Sequence, residues 1–338
     1  MSARESIIPV FVPHLGCPND CVFCNQRRIS GEQLPAGPDT VKNAIESAAA
    51  FLPAGGKRQL AFYGGSFTAI PVCQQEALLR VAKHYLDRGD INTIRLSTRP
   101  DAIDYEVLDR LRFFGVETIE LGAQSLDDDV LILSGRGHTA EDVEDASRLI
   151  KERGFKLILQ MMTGLPGDTA EKDIETAKKI IALKPDGVRI YPTVIVRDTA
   201  LYDMWQAGTY PEHTVEQAVQ VCAELLPLFD EAGIPVIRLG LNPTDDLSGG
   251  DAAGGAYHPA LGEMVKSRIM LHKAEQLLEG IAPGASIVLE VGKGKTSQMT
   301  GQKRCNVQYL TEKYALKELK IKENPQLNKD IRLIRIEK

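Results

Sequence analysis

Three cysteines, Cys17, Cys21 and Cys24, stand in the run Gly-Cys-Pro-Asn-Asp-Cys-Val-Phe-Cys with the spacing C-x3-C-x2-C. Thiolates at i, i+4 and i+7 on a Pro/Asn/Asp-containing loop can wrap one face of a metal centre, and no fourth cysteine lies nearby to close the shell. An iron–sulfur cluster usually takes four thiolates. Three therefore imply a 4Fe–4S cluster with one iron left open, and an open position marks a catalytic metal rather than a structural one. Two other readings compete. His14 could complete a Cys3His zinc site, but zinc knuckles usually present two separated ligand pairs, and here the four groups form one run. A disulfide with a leftover thiol is the other. Against it, the chain shows no signal peptide and no apolar stretch long enough to span a bilayer. This points to the cytoplasm, where disulfides are rare. The spacing favours the open cluster.

An open iron takes a ligand that brings chemistry. The amino and carboxylate groups of S-adenosylmethionine can chelate it, and one electron from the cluster would then cleave the sulfonium. The product is a 5′-deoxyadenosyl radical that abstracts hydrogen, a chemistry that belongs to the cofactor while the protein positions it. Several residues suit that role. Phe23, just before the last cysteine, could pack against adenine. Gly64 and Gly65, followed by Ser66, remove side chains where a ligand must approach backbone. In Glu120-Leu121-Gly122-Ala123-Gln124, period two puts Glu120, Gly122 and Gln124 on one face, and a barrel with an apolar outer face would turn that set inward. Buried Glu and Gln demand partners. A ligand would supply them, with Glu120 the candidate catalytic group, and so would an ion pair inside the barrel. Arg136, between two glycines and ahead of Thr139 as a helix cap, could clamp a carboxylate. Gln160 is a candidate for a ribose contact. His138, next to that cap, reads as structural.

These residues need a scaffold that gathers loop ends. Short β-rich runs, Ile7–Val12, Leu60–Tyr63, Thr93–Ser97, Thr118–Gly122, Lys156–Met162 and Gly187–Pro192, alternate with amphipathic stretches Thr40–Leu52, Cys73–Leu86, Tyr105–Phe114, Ala140–Arg153 and Ala170–Leu183. Such alternation means parallel βαβ units with right-handed crossovers, and about six of them predict an α/β fold, a partial (β/α)6 TIM-like barrel. In such barrels chemistry gathers at the C-terminal strand ends, where the cysteine loop, Gly64-Gly65-Ser66 and Gly164-Leu165-Pro166-Gly167 all fall. A helix over about 213–232 and a strand Val236–Leu241 continue the pattern. A Gly/Asp-rich loop, Asn242–Gly255, is a candidate lid, and a helix over 259–278 follows it. Short strands (Ile287–Val291, Leu316–Lys322, Ile331–Ile336) and a helix around Val307–Ala315 predict a small C-terminal α+β accessory unit. The expected division is 1–241 for the barrel, 242–284 for the extension and 285–338 for the basic accessory unit.

The length of 338 residues suffices for a substantial core, and the net charge of −6 argues weakly against an obligate nucleic-acid binder. That charge is uneven. Residues 291–338 hold 12 Lys/Arg against 5 Asp/Glu, a net +7, which leaves −13 for the remainder. The basic tail is an RNA-facing surface, with Lys293, Lys295, Lys303 and Arg304 as phosphate contacts, or the solvated face of a small sheet. Cys73 and Cys222 read as inert thiols.

Five blocks together resemble a known family: Cys17 to Cys24, Tyr63-Gly64-Gly65-Ser66-Phe67-Thr68, Ser97-Thr98-Arg99-Pro100-Asp101, Glu120 to Ser125 with Gly135 to Thr139, and Gln160 to Pro166. In order and spacing the chain is similar to the radical S-adenosylmethionine (radical SAM) superfamily, in the branch of the Elongator catalytic subunit and the oxygen-independent coproporphyrinogen III oxidases. The resemblance implies a partial (β/α)6 barrel. It puts Gln124 and Gln160 near the ribose or methionine moiety of S-adenosylmethionine and Arg136 at its carboxylate. It also implies a reductant such as flavodoxin or ferredoxin and no membrane. Two departures matter. Ser97 stands where many relatives carry glutamate, and too few residues follow Val291 to form the acetyltransferase domain of Elongator-like proteins. The substrate stays open among a small molecule, RNA (a tRNA modifier without the acetyltransferase), and a heme-type cargo for a non-catalytic cluster protein.

Overall fold

Each of the predicted β-rich runs becomes a parallel strand, because its apolar positions are closed off from water along one whole face. The computed structural model describes residues 6–12, 17, 21–25, 36–51, 56–241, 250–327 and 330–335. It places β1 (Ser6–Phe11), β2 (Arg58–Tyr63), β3 (Thr93–Thr98), β4 (Val116–Gln124), β5 (Lys156–Thr163) and β6 (Gly187–Pro192) in one sheet. After a short strand β7 (Val194–Val196), a further strand β8 (Val236–Leu239) joins it. The order is β1-β2-β3-β4-β5-β6-β8, seven strands with every neighbouring pair parallel. The sheet curls into a half-barrel whose edges are β1 and β8. Pro9 lies in edge strand β1, where a missing N–H donor is tolerated.

Period two sorts the strands into two faces. Leu60, Phe62, Ile94, Leu96, Ile119, Leu121, Leu157, Leu159, Val188 and Ile190 have no exposed surface. They alternate with Tyr63, Arg95, Glu120, Gln160 and Arg189, which share the other, inward face. The connecting helices are α1 (Pro38–Phe51), α2 (Val72–Asp87), α3 (Tyr105–Phe113), α4 (Asp128–Leu133), α5 (Ala140–Glu152), α6 (Ala170–Ala182) and α7 (Ala200–Gln206). Side-chain caps start five of them. Asp104, Asp127, Thr169 and Thr199 each accept from a first-turn amide, and Thr139 forms a reciprocal capping box with Asp142. Helices α4 and α7, of six and seven residues, are too short for the periodicity argument that found the others.

The chain divides into two units, residues 1–214 with 228–257 and residues 215–227 with 258–338. Helix α8 (Val215–Glu231) contributes to both, with Pro227 at the division. In the first unit, residues of the Gly/Asp-rich loop form β9 (Ala252–Gly255), antiparallel to β7. The preceding part of that candidate lid, 242–249, lies outside the described residues, as do His14 and Ile336. The second unit holds α9 (Leu261–Leu278), β10 (Ser286–Val291), α10 (Thr296–Thr300), α11 (Cys305–Lys313), β11 (Glu318–Glu323) and β12 (Ile331–Arg335). Strand β10 pairs parallel with β11 and antiparallel with β12. Met270, Ala274 and Leu278 of α9 share one core with Ile287, Leu289, Met299 and Leu310. The α9 helix therefore belongs with the small sheet, whereas the sequence pattern drew a division between 284 and 285. Among the described residues no helix is long and apolar enough to cross a membrane.

Candidate active site

Glu120 occupies the middle of the inward face and has no exposed surface. Its Oε1 accepts from Arg95 Nη1 at 2.7 Å, Arg189 Nη2 at 3.0 Å and the Tyr63 hydroxyl at 3.2 Å. Its Oε2 accepts from the Gln160 amide at 2.8 Å and lies 2.8 Å from Arg189 Nε. The protein thus supplies the partners that the buried Glu120 requires. Burial and the adjacent Glu120 carboxylate push the Tyr63 phenol well above its ordinary value, so it stays a neutral donor. Arg95, Tyr63 and Arg189 were not singled out in the sequence; their positions on the inward face of three strands carried the signal.

Two residues further along β4 the ladder breaks. Gly122 pairs with Gln160 and Gln124 with Met161, so one extra residue, Ala123, bulges from the strand. Gln124 follows with φ +65°, a left-handed backbone that costs a non-glycine residue of order 1 kcal/mol. The Arg-Gly-His run after α4 secures this bulge. Arg136 Nη2 donates to the Gly122 carbonyl at 2.7 Å, and His138 Nε2 lies 3.2 Å from that of Ala123. Burial, reinforced by Arg136, lowers the His138 pKa to about 4. The neutral ring donates from Nε2, which leaves Nδ1 as an acceptor. Both His138 Nδ1 and Gln124 Oε1 are buried acceptors with no hydrogen-bond partner among the described residues. A Cβ on Gly122 would stand 2.9 Å from Gln124 Nε2 and 3.3 Å from Arg136 Nη2, so glycine lets both side chains lie against the strand.

Arg136 also reaches the cysteine loop, donating from Nη1 to Cys21 Sγ at 3.3 Å. The loop is anchored by backbone bonds. Val22 N donates to Ser134 O at 3.1 Å, Leu201 N to Val22 O at 2.7 Å, and Cys24 N to Cys21 O at 3.0 Å. Val22 and Phe23 pack on the cluster of Ile195, Leu201 and Tyr210; that packing gives Phe23 a protein contact surface beside the adenine contact expected of it. At the end of β2, Gly64 takes φ +90°. Ser66 Oγ lies 3.0 Å from Thr98 Oγ1 and accepts from Arg99 N at 3.3 Å, while the Ser66 amide bonds the Cys17 sulfur. Arg99 in turn donates to the Arg136 carbonyl at 2.9 Å and pairs with Asp101. The Ser-Thr-Arg-Pro-Asp, Gly-Gly-Ser and Arg-Gly-His blocks therefore form one connected polar frame around Cys17 and Cys21.

The loop after β5 closes a further side. Gly164, at φ +70°, passes so near His213 that a Cβ would fall 2.1 Å from its ring. Tyr210 donates its hydroxyl to Gly164 O at 2.6 Å, and His213 Nε2 lies 3.1 Å from Thr163 Oγ1. Burial lowers the His213 pKa to about 4. Below this loop, Asp168 and Asp173 form a buried carboxyl pair in which burial and the neighbouring charge push Asp173 up to about 10, so the pair holds one proton at neutral pH. Neither His213 nor this pair was found in the sequence; both depend on side chains brought together by tertiary folding.

A family model described as the Radical SAM superfamily matches residues 11–180. The chain belongs to the radical SAM superfamily. Residues 185–270 match a second model, the Radical_SAM C-terminal domain. Over 185 residues the chain is 31% identical to Elongator complex protein 3 of Homo sapiens and 29% identical to the tRNA uridine(34) acetyltransferase of Methanocaldococcus jannaschii. Each match spans 49% of this chain and 34% of the relative, about a third of those proteins' length. Among solved structures, Elp3 of Methanocaldococcus infernus with an N-terminal deletion superposes with a TM-score of 0.64 at 23% identity, covering 81% of this chain and 64% of that one. Coproporphyrinogen III oxidase of Escherichia coli gives 0.50 at 22% identity, covering 68% and 53%. These structures share the fold.

Radical SAM proteins generally bind a 4Fe–4S cluster and S-adenosylmethionine. The residues present fit those groups. Soft thiolates suit iron–sulfur clusters, and the two buried acceptors beside Arg136 suit a ligand that brings an ammonium and hydroxyls. Among the described residues no three His, Cys, Asp or Glu side chains stand close enough to hold a single metal ion. A cluster ties each thiolate to a separate iron, so it does not require them to converge on one point. In the basic segment, Lys295 pairs with Asp330. Lys303 and Arg304 are exposed and both left-handed, with φ of 49° and 65°.

Proposed function

We propose that Cys17, Cys21 and Cys24 hold a 4Fe–4S cluster with one iron open to S-adenosylmethionine, and that the chain is an enzyme which uses this pair to start hydrogen abstraction from a substrate. One observation carries the reading. Arg136 spans from the Cys21 sulfur to the Gly122 carbonyl, beside the buried acceptors of Gln124 and His138. A single guanidinium thereby ties the cysteine loop to the pocket that would take the cofactor's amino-acid end, with its carboxylate the natural partner for Arg136. Gly64, Gly65 and Ser66 offer backbone to the same ligand. Gln160 is the link from that pocket to Glu120. When bound, the cofactor supplies the radical chemistry; the residues here orient it and shield it from water.

Anaerobic reconstitution should yield about four iron and four sulfide per chain, and reduction through flavodoxin or ferredoxin should release 5′-deoxyadenosine. Cys21→Ala should abolish cluster and cleavage together. A protein that fills with iron and sulfide yet never cleaves S-adenosylmethionine would instead be a cluster-binding carrier.

RNA is the second reading for the substrate. One relative is named for action on tRNA, and Lys303 and Arg304 stand exposed on the basic segment. Binding of tRNA that falls steeply with salt and is lost in Lys303→Glu/Arg304→Glu would support it; binding indifferent to salt would remove it.

A further inference from the structure

Resting on the reading above, the geometry points to an oxyanion subsite on the inward face of β6 and β8, in which Arg189 and Arg238 anchor a carboxylate or phosphate of the substrate. The two residues are register partners on adjacent parallel strands. Their side chains therefore leave the same face, with backbones about 4.8 Å apart. Like charges at such neighbouring positions destabilise a sheet unless an anion sits between them. The described residues provide only part of that counter-charge. Glu120 is shared between Arg95 and Arg189, while Arg238 donates from Nε to the carbonyl of Gly240 at 2.9 Å. Among the described residues, Arg95 and Arg189 thus share one carboxylate while Arg238 pairs with none, which leaves an excess of two positive charges along this face.

Two phenols complete the lining. Tyr63 donates to Glu120, and Arg189 Nη2 lies 3.1 Å from its oxygen; Arg189 Nη1 lies 3.5 Å from the Tyr191 hydroxyl. Burial raises the Tyr191 pKa, while Arg189 and, more weakly, Arg238 pull it down, which places Arg238 in the field of the same pocket. With the Tyr63 hydrogen given to Glu120, the neutral Tyr191 hydroxyl and the forked guanidiniums are the donors that would recognise a carboxylate or phosphate.

Position gives the subsite its role. Gly122, Gln160, Arg189 and Arg238 form one register row across β4, β5, β6 and β8. Gly122 is where Arg136 and Gln124 lie, at the cofactor end of the row. Arg238 is at the other end, three strand spacings or about 14 Å away along the curved sheet. A substrate of metabolite size, held by its anionic group at β6 and β8, would extend along this row toward the radical's origin.

The test uses the full-length, cluster-reconstituted protein under anaerobic conditions. Its thermal midpoint is titrated with inorganic phosphate and, separately, with succinate at constant ionic strength. Saturable stabilisation by at least one anion is expected, with apparent affinity about tenfold weaker in Arg238→Gln, partly restored in Arg238→Lys and unchanged in the exposed control Arg148→Gln. Response to phosphate alone assigns a phosphoester, response to succinate alone a carboxylate, and response to both supports the shared chemistry. Absence of saturation by either anion, or wild-type affinity in Arg238→Gln, overturns the subsite. The 5′-deoxyadenosine assay without substrate is read on the same samples. Cleavage retained in a protein that fails to bind anions refutes the subsite alone, whereas loss of cleavage in the wild type refutes the radical reading.

Discussion

Glu120→Gln separates a counter-ion from a reacting group. The carboxylate is fully enclosed and holds Arg95 and Arg189, whose side chains are 10% and 12% exposed. Glutamine keeps the shape but removes the charge, and its amide nitrogen must face either a guanidinium or the Gln160 amide. Breaking one side of a buried ion pair costs about 3–5 kcal/mol, because the remaining charge stays desolvated. That is a large share of a domain's stability of about 5–15 kcal/mol. At about 2–4 °C per kcal/mol for a unit of this size, the midpoint should fall by on the order of 10 °C. Denaturant unfolding of the wild type and Glu120→Gln measures the loss, and Glu120→Gln/Arg189→Met should recover part of it by removing the orphaned cation. A loss under about 1 kcal/mol would refute the reasoning. If turnover vanished while stability held, Glu120 would be a reacting group.

Two further outcomes follow from the loop after β5. Gly164→Ala should cost more than about 2 kcal/mol, since its Cβ would collide with the His213 ring in a left-handed backbone, whereas Gly208→Ala, at similar φ with open space around it, should cost about 1 kcal/mol. Equal costs in urea titrations would contradict the collision. The His213 pKa, lowered by burial to about 4 from an unfolded value near 6.5, means that the unfolded chain takes up its proton first on acidification. The stability linked to it is therefore complete above about pH 6.5 and lost between there and pH 4, by about 2 kcal/mol after allowance for partial exposure. His213→Gln should flatten the unfolding free energy across that window, and an unchanged slope would count against it.

The period-two strands made the parallel sheet legible, since their alternation is a local pattern, and the cysteine spacing pointed to the radical SAM superfamily for the same reason. Glu120 was placed inward by the same alternation. Its partners Arg95 and Arg189 sit 25 and 69 residues away, and no local pattern pairs residues across a sheet. Residues 252–255 form a strand although Ala-Ala-Gly-Gly has little strand propensity; pairing with β7 decides it. The Asp168–Asp173 pair is two ordinary helix-start carboxylates in sequence, and only burial makes them share a proton. The α9 helix was assigned apart from the small sheet because its apolar stripe does not name the surface it covers.

Gln124 allows one more conclusion. Glycine would occupy its left-handed backbone at no steric cost, so stability alone would favour glycine there. A long amide stands in that place instead, with its oxygen buried and without a hydrogen-bond partner among the described residues. On the function proposed above, Gln124→Gly should yield a protein at least as stable as the parent but poorer at binding S-adenosylmethionine, and this one position would then set fitness for binding against fitness for folding.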